Sequence, residues 1–303
     1  MTKSKKTETK RIAIFLVVTF VITYAFEILV IWPSSEANSS NLMALAMFAP
    51  AIGVLITRLV TGEGFKGSMV KPKVKGHIKY YLFAWVGPII LTVLGAVIYY
   101  LIFPQDFDIT MKTMIDSYVA QYEELGIADT VTREQIKFSI LMQIPLTLLA
   151  PILNIVTCFG EEWGWRAYLL PKMQEKLPML PMLLINGVIW GLWHAPLTII
   201  GHNYGTEYLG FPVTGIIAMC LFCIVTGVIL SYITIKSESI WPAVLAHGCI
   251  NGSGAISLIF HNGTSNPFIG PLPTGIIGGM GYIITAVIMV ILLFTPHGHH
   301  NTD

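Results

Sequence analysis

Eight stretches of this chain are each long and apolar enough to cross a lipid bilayer, near residues 12–32, 41–60, 79–103, 139–170, 180–200, 211–235, 240–260 and 274–295. A bilayer core takes about 20 apolar residues in helical form. No water is there to satisfy an open backbone, so only helices and closed barrels cross it. Composition agrees: 54% of the 303 residues are apolar and 12% charged, against about 25% charged in an ordinary soluble domain. Mean hydropathy is +0.70. These features predict an all-α polytopic membrane protein, a bundle of about eight transmembrane helices forming a single integral-membrane domain over residues 1–303.

The N-terminus has the basic start of a secretory signal. Its apolar stretch runs on to about Trp32 without a small-residue cleavage site, which reads as a retained first helix. The fourth run is too long for one simple span and carries Pro145 and Pro151. Proline suits the first turn of a helix, so the crossing part is expected to start near Pro151 and end at Pro171, with 137–150 as an approach segment. Lys3, Lys5, Lys6, Lys10 and Arg11 in the tail, and Arg58, Lys66, Lys71, Lys73, Lys75 and Lys79 in the second connection, set both on the cytoplasmic side. With eight helices, both termini are then cytoplasmic, in a cell-membrane protein. The long third connection, about 104–136, is acidic and expected outside, with a short amphipathic helix around 110–125. Cys158, Cys220, Cys223 and Cys249 all lie in apolar runs and read as small buried hydrophobes. The C-terminal HGHH reads as a solvated polar tail. A net charge of +1 argues against nucleic acid as a partner.

Within this apolar background, FGEEWGWR places Glu161, Glu162 and Arg166 in the fourth run. A charged group near the bilayer centre costs on the order of 3 kcal/mol by insertion scales, so intramembrane ionisable residues mark a functional site by default. Glu162 and Arg166 are four apart and share a helix face, where they can pair. Glu161 is turned by about 100°, which frees it to face a cavity. The next run contributes His194 in WGLWH, and the seventh contributes His247 and Asn251, again four apart, in HGCIN. Counted from the cytoplasmic helix ends, Glu161, His194 and His247 lie roughly 10–20 Å deep. All three segments can therefore contribute to one cavity in the inner half of the membrane. The plain alternatives are a packing clamp for the charged trio and interhelical hydrogen bonding for the histidines and Asn251.

Taken in order, EEWGWR, WGLWH and HGCIN resemble the Glu-Glu-x-x-x-Arg, Phe-x-x-x-His and His-x-x-x-Asn motifs of the CPBP intramembrane proteases, a family of CAAX prenyl endopeptidases and bacteriocin-processing or self-immunity proteins. The motif-bearing catalytic core is about residues 151–255, and the family core is also an eight-helix bundle. The resemblance implies that Glu161 is the catalytic carboxylate and that His194 works with it on a water. It implies further that His247 and Asn251 steady the oxyanion, with Glu162 and Arg166 in support. Trp190 stands at the family's Phe position, a larger ring on the same face, so the departure bears on pocket shape rather than on catalysis. The implied partners are a peptide or membrane-tethered protein substrate and the surrounding lipid.

The residue chemistry is compatible with that reading. Peptide hydrolysis needs a base for water, donors for the oxyanion and a proton for the leaving amine, and these side chains supply all three. No cofactor is favoured. The alternative is zinc, because Glu161, His194 and His247 form the two-His, one-carboxylate set a catalytic zinc accepts, although no compact zinc signature such as HExxH is present. Two functions compete with an endopeptidase: a non-catalytic immunity or sensor protein that binds a peptide in the same cavity, and a small-solute transporter with a proton relay. A transporter of this size is expected to show paired, interrupted repeats, and none is apparent.

Overall fold

The computed structural model describes residues 3–295, and the HGHH stretch lies outside them. The chain is helical, and among the described residues the only strand-like pairing is an isolated bridge between Phe107 and His261. Helix α1 (Lys3–Phe26) continues into a π-turn, Glu27–Ile31, and is followed by α2 (Glu36–Ala46), α3 (Ala49–Thr61) and α4 (Ile78–Ile102). After α5 (Lys112–Glu124) come α6 (Arg133–Leu146), α7 (Ala150–Leu153), α8 (Ile155–Glu162), a π-helix over Trp163–Leu169, and α9 (Leu170–Gln174). Helices α10 (Met179–Trp193), α11 (Ala195–Ile199), α12 (Val213–Ser237), α13 (Trp241–Ser253) and α14 (Met280–Phe294) complete the fold.

Each of the eight apolar runs contains helix, and the chain is a multi-pass membrane protein. Among the described residues, five helical stretches have full spanning length: Thr7–Ile31, Asn38–Thr61, Ile78–Ile102, Arg133–Leu153 and Val213–Ser237. Their outer faces suit lipid. On α4 the exposed apolar side chains Ile78, Leu82, Val86, Ile90 and Leu94 recur every fourth residue and form one stripe. The segment 137–150 is not an approach to the membrane but most of a spanning helix that begins at Arg133. There Thr132 and Gln135 form a capping box that satisfies the first free amides. Nor does the helical course end at Pro171, which occupies the first turn of α9. Proline has no N–H for the carbonyl of Ala167 four residues back, and the chain passes this point through the wide π-turns of Trp163–Leu169.

The helices that carry the second and third motifs, α10 and α13, are shorter than a span. The run at 180–200 breaks at His194, between α10 and α11, because Pro196 cannot donate to the Leu192 carbonyl. Helix α12 packs against α10 on one side and α14 on the other, while α13 is wedged among α4, α7, α8 and α12. Two glycines make the α10–α12 contact possible. A Cβ at Gly187 would collide with the Ile224 backbone, and one at Gly191 with that of Cys220. The expected short helix in the third connection is α5, held to α6 by Met111, Ile115, Ile136 and Ile140.

An ion network ties α1, α3 and α9 together. Lys172 Nζ donates to Glu8 Oε2 at 2.6 Å and to Glu63 Oε1 at 2.7 Å, while Tyr168 OH donates to Glu63 Oε2 at 2.8 Å. Arg11 lies 3.5 Å from Glu63 and also pairs with Glu8.

Candidate active site

Glu161, Glu162 and Arg166 are all buried where α8 passes into the π-helix. Glu162 and Arg166 pair as their spacing predicts, with Nη1 3.2 Å from Oε1. The same oxygen accepts a second bond that crosses the fold, from His247 Nδ1 at 2.8 Å. Glu162 therefore neutralises the arginine and fixes the imidazole ring at once. The guanidinium also lies over the Trp190 ring, its carbon 4.1 Å from the centroid, a cation–π contact whose value rises when water is excluded.

Glu161 is turned away from that pair and lines a cavity of about 450 Å³. His194, His247 and Asn251 line the same cavity, so side chains from three separate helical segments are brought together. The volume falls within the range of about 300–1,000 Å³ usual for small-ligand sites. Trp190, also on its wall, donates its indole Nε1–H to Glu161 Oε2 at 2.9 Å. The His194 ring donates from Nδ1 to the Trp190 carbonyl at 2.9 Å, a bond available because the helix breaks here. For both histidines Nδ1 is thus the committed nitrogen, which leaves Nε2 for chemistry in the cavity. Asn251 Nδ2 has only a long contact, 3.8 Å, with Cys158 Sγ.

Among the described residues no three His, Cys, Asp or Glu side chains are gathered into a metal-holding group.

Polar residues outside the three motifs bear on the site as well. Asn154 lines the cavity and donates to the carbonyls of Ala150 at 3.0 Å and Gly248 at 3.4 Å, fastening α13 to α7. Its signal was an amide between Pro151 and Glu161 in an otherwise apolar run. Ser40, His202, Asn203, Thr226 and Thr274 also belong to the polar lining. Glu27, in the first π-turn, does not line the cavity but is fully buried with no hydrogen-bond partner for either oxygen. An acid in the first apolar run was the visible sign of it. All four cysteines are free thiols.

Comparison with known proteins bears on the same segment. Residues 143–253, which include all three motifs, match the family described as type II CAAX prenyl endopeptidase, Rce1-like. Over 92 residues the chain is 28% identical to CAAX prenyl protease 2 of Methanococcus maripaludis, a match that covers 30% of this chain and 34% of that protein. The chain thus spans about a third of the length of this curated relative. Together these findings bear out the resemblance to the CPBP intramembrane proteases.

Proposed function

We propose that this protein is an intramembrane endopeptidase that hydrolyses a peptide bond in a peptide or membrane-tethered protein, using a water activated by Glu161 and His194. The observation that carries the reading is the convergence of Glu161, His194, His247 and Asn251 on one cavity from separate helical segments. The match of residues 143–253 to CAAX prenyl endopeptidases supports it. A CAAX-type protein, a bacteriocin precursor or immunity substrate, and a regulatory membrane protein all share the required chemistry, an amide bond presented at the membrane.

With Glu161 Oε2 held by Trp190, Oε1 is the oxygen left to orient water. With Nδ1–H given to the Trp190 carbonyl, Nε2 of His194 carries the lone pair and can accept a proton. The water oxygen attacks the carbonyl carbon as its proton passes to this pair. The carbonyl oxygen becomes an oxyanion that Asn251 Nδ2 and His247 Nε2 stabilise, each such donor contributing about 3 kcal/mol in a water-poor site. His247 donates from Nε2 as the imidazolium, balanced by the Glu162 carboxylate on its other nitrogen. Asn251 gives up little in turning to the substrate, since its present contact is a long one to sulfur. The proton taken from water then goes to the amine, the C–N bond breaks, and a carboxylate and an amine leave. Glu162 supports this by fixing His247, and Arg166 by pairing with Glu162.

The test is cleavage of a library of soluble and membrane-tethered peptides by the purified protein in lipid, comparing wild type with Glu161→Ala and His247→Ala. Cleavage by wild type alone is expected. Identical, undetectable cleavage by all three, together with full cellular function of both variants, would mean the cavity only binds.

A further inference from the structure

We infer that Trp190 is a positioning residue for the reaction, holding the Glu161 carboxylate and the His194 imidazole as one unit. The inference rests on the endopeptidase reading. Trp190 reaches the site with two different groups. Its indole Nε1–H donates to Glu161 Oε2 at 2.9 Å, and its backbone carbonyl accepts from His194 Nδ1 at 2.9 Å. The ring also lies under the Arg166 guanidinium and meets the His247 ring edge-on, with centroids 5.3 Å apart at 79°. Trp190 is 3% exposed, so little solvent competes for these contacts.

The backbone bond to His194 comes from the helix break and would survive any side-chain replacement there. The bond to Glu161 would not. A phenylalanine, the residue the motif ordinarily carries, keeps a ring but has no N–H, so it packs here without holding the acid. A free carboxylate can rotate and offer either oxygen. Pinned at Oε2, this one presents Oε1 in a fixed direction relative to the imidazole that shares its anchor. Gly187 and Gly191 set the close α10–α12 contact, so the anchor itself has little freedom to shift. Because misplacement by about 1 Å can cost a hundredfold in rate, the orientation is worth holding. Trp190 thus does more than preserve packing.

The experiment compares wild type, Trp190→Phe and a protein with β-(3-benzothienyl)alanine at position 190, all full length in proteoliposomes. The benzothienyl group keeps the shape and aromatic face of indole and replaces the N–H with sulfur. Both substitutions are expected to lower kcat about tenfold to a hundredfold with KM little changed. A benzothienyl protein as active as wild type would overturn the inference, since packing alone would then account for the residue. A second readout does not depend on turnover: the nitrogen-15-edited NMR signal of the Trp190 indole N–H should move upfield in Glu161→Ala, and an unmoved signal would also overturn it. Failure of the wild type to cleave any peptide would refute the endopeptidase reading and the catalytic role with it, while the indole signal would still report whether the bond exists.

Discussion

Glu162 Oε1 accepts from His247 Nδ1 at 2.8 Å and from Arg166 Nη1 at 3.2 Å, so a single oxygen joins α13 to the segment that carries the acidic motif. Removing one partner from a buried charged set leaves the other uncompensated, at a cost of about 3–5 kcal/mol. Glu162→Ala should therefore lower stability in mixed micelles by that amount and abolish cleavage. Glu162→Gln keeps an acceptor oxygen for His247 and should fall between. Equal stability of the alanine variant and wild type would show that the pair is not holding the helices.

Glu161 and Asn251 should separate catalysis from folding. Glu161→Gln keeps an acceptor for the Trp190 indole but removes the base, and a positioned acid or base contributes about 10²–10⁴ in rate. Asn251→Ala removes one oxyanion donor, worth about 10²–10³. Both proteins should unfold at the wild-type midpoint while kcat drops by these factors. Wild-type turnover by Glu161→Gln would remove the carboxylate from the mechanism.

Chelation addresses the zinc alternative. Cleavage is expected to persist in excess 1,10-phenanthroline after dialysis, because in the proposed reaction Glu161 and His194 activate the water. Loss of activity that zinc restores would transfer the water to a metal bound by Glu161, His194 and His247.

Outside the membrane, α5 should loosen in acid. Hydrogen bonds from Lys112, at 2.7 Å, and from Arg133 hold the Asp116 carboxyl below its usual 3.8. A carboxyl with a depressed folded-state pKa stabilises the fold above the unfolded value, and that contribution fades as pH falls through the folded one. Protease cleavage between residues 104 and 132 should thus increase below about pH 4. Asp116→Asn should show the same susceptibility already at neutral pH. A cleavage rate independent of pH in wild type would contradict the link.

The two glycines of α10 offer a packing test. Overfilling a tight contact costs about 1–3 kcal/mol, so Gly191→Leu should lower the unfolding midpoint and cut kcat by displacing both Trp190 and His194. A variant with unchanged kcat would show that the α10–α12 contact does not hold the catalytic groups in place.

What could be read from sequence was whatever depends on near neighbours along a helix. The Glu162–Arg166 pair, the divergence of Glu161 from it, and the helix α5 all follow from a 3.6-residue turn. The bonds that organise the site do not. His247 and Glu162 are 85 residues apart and Trp190 and Glu161 are 29 apart, so their meeting depends on how three helices cross. The proline at 196 was visible, but its effect, a helix end that frees the Trp190 carbonyl for His194, needed the backbone. The same holds for α6, where Pro145 and Pro151 suggested a start that the Thr132 cap had already supplied.

The bond between Lys172 and Glu8 closes over 164 residues of sequence. At about 5–20 residues per second of synthesis, the partner of Glu8 emerges on the order of ten seconds or more after α1 does. During that interval Arg11 is the neighbour available to the acid. The first helix therefore enters the membrane before its final anchor exists, and its attachment to the motif segment is a late event in the birth of the chain.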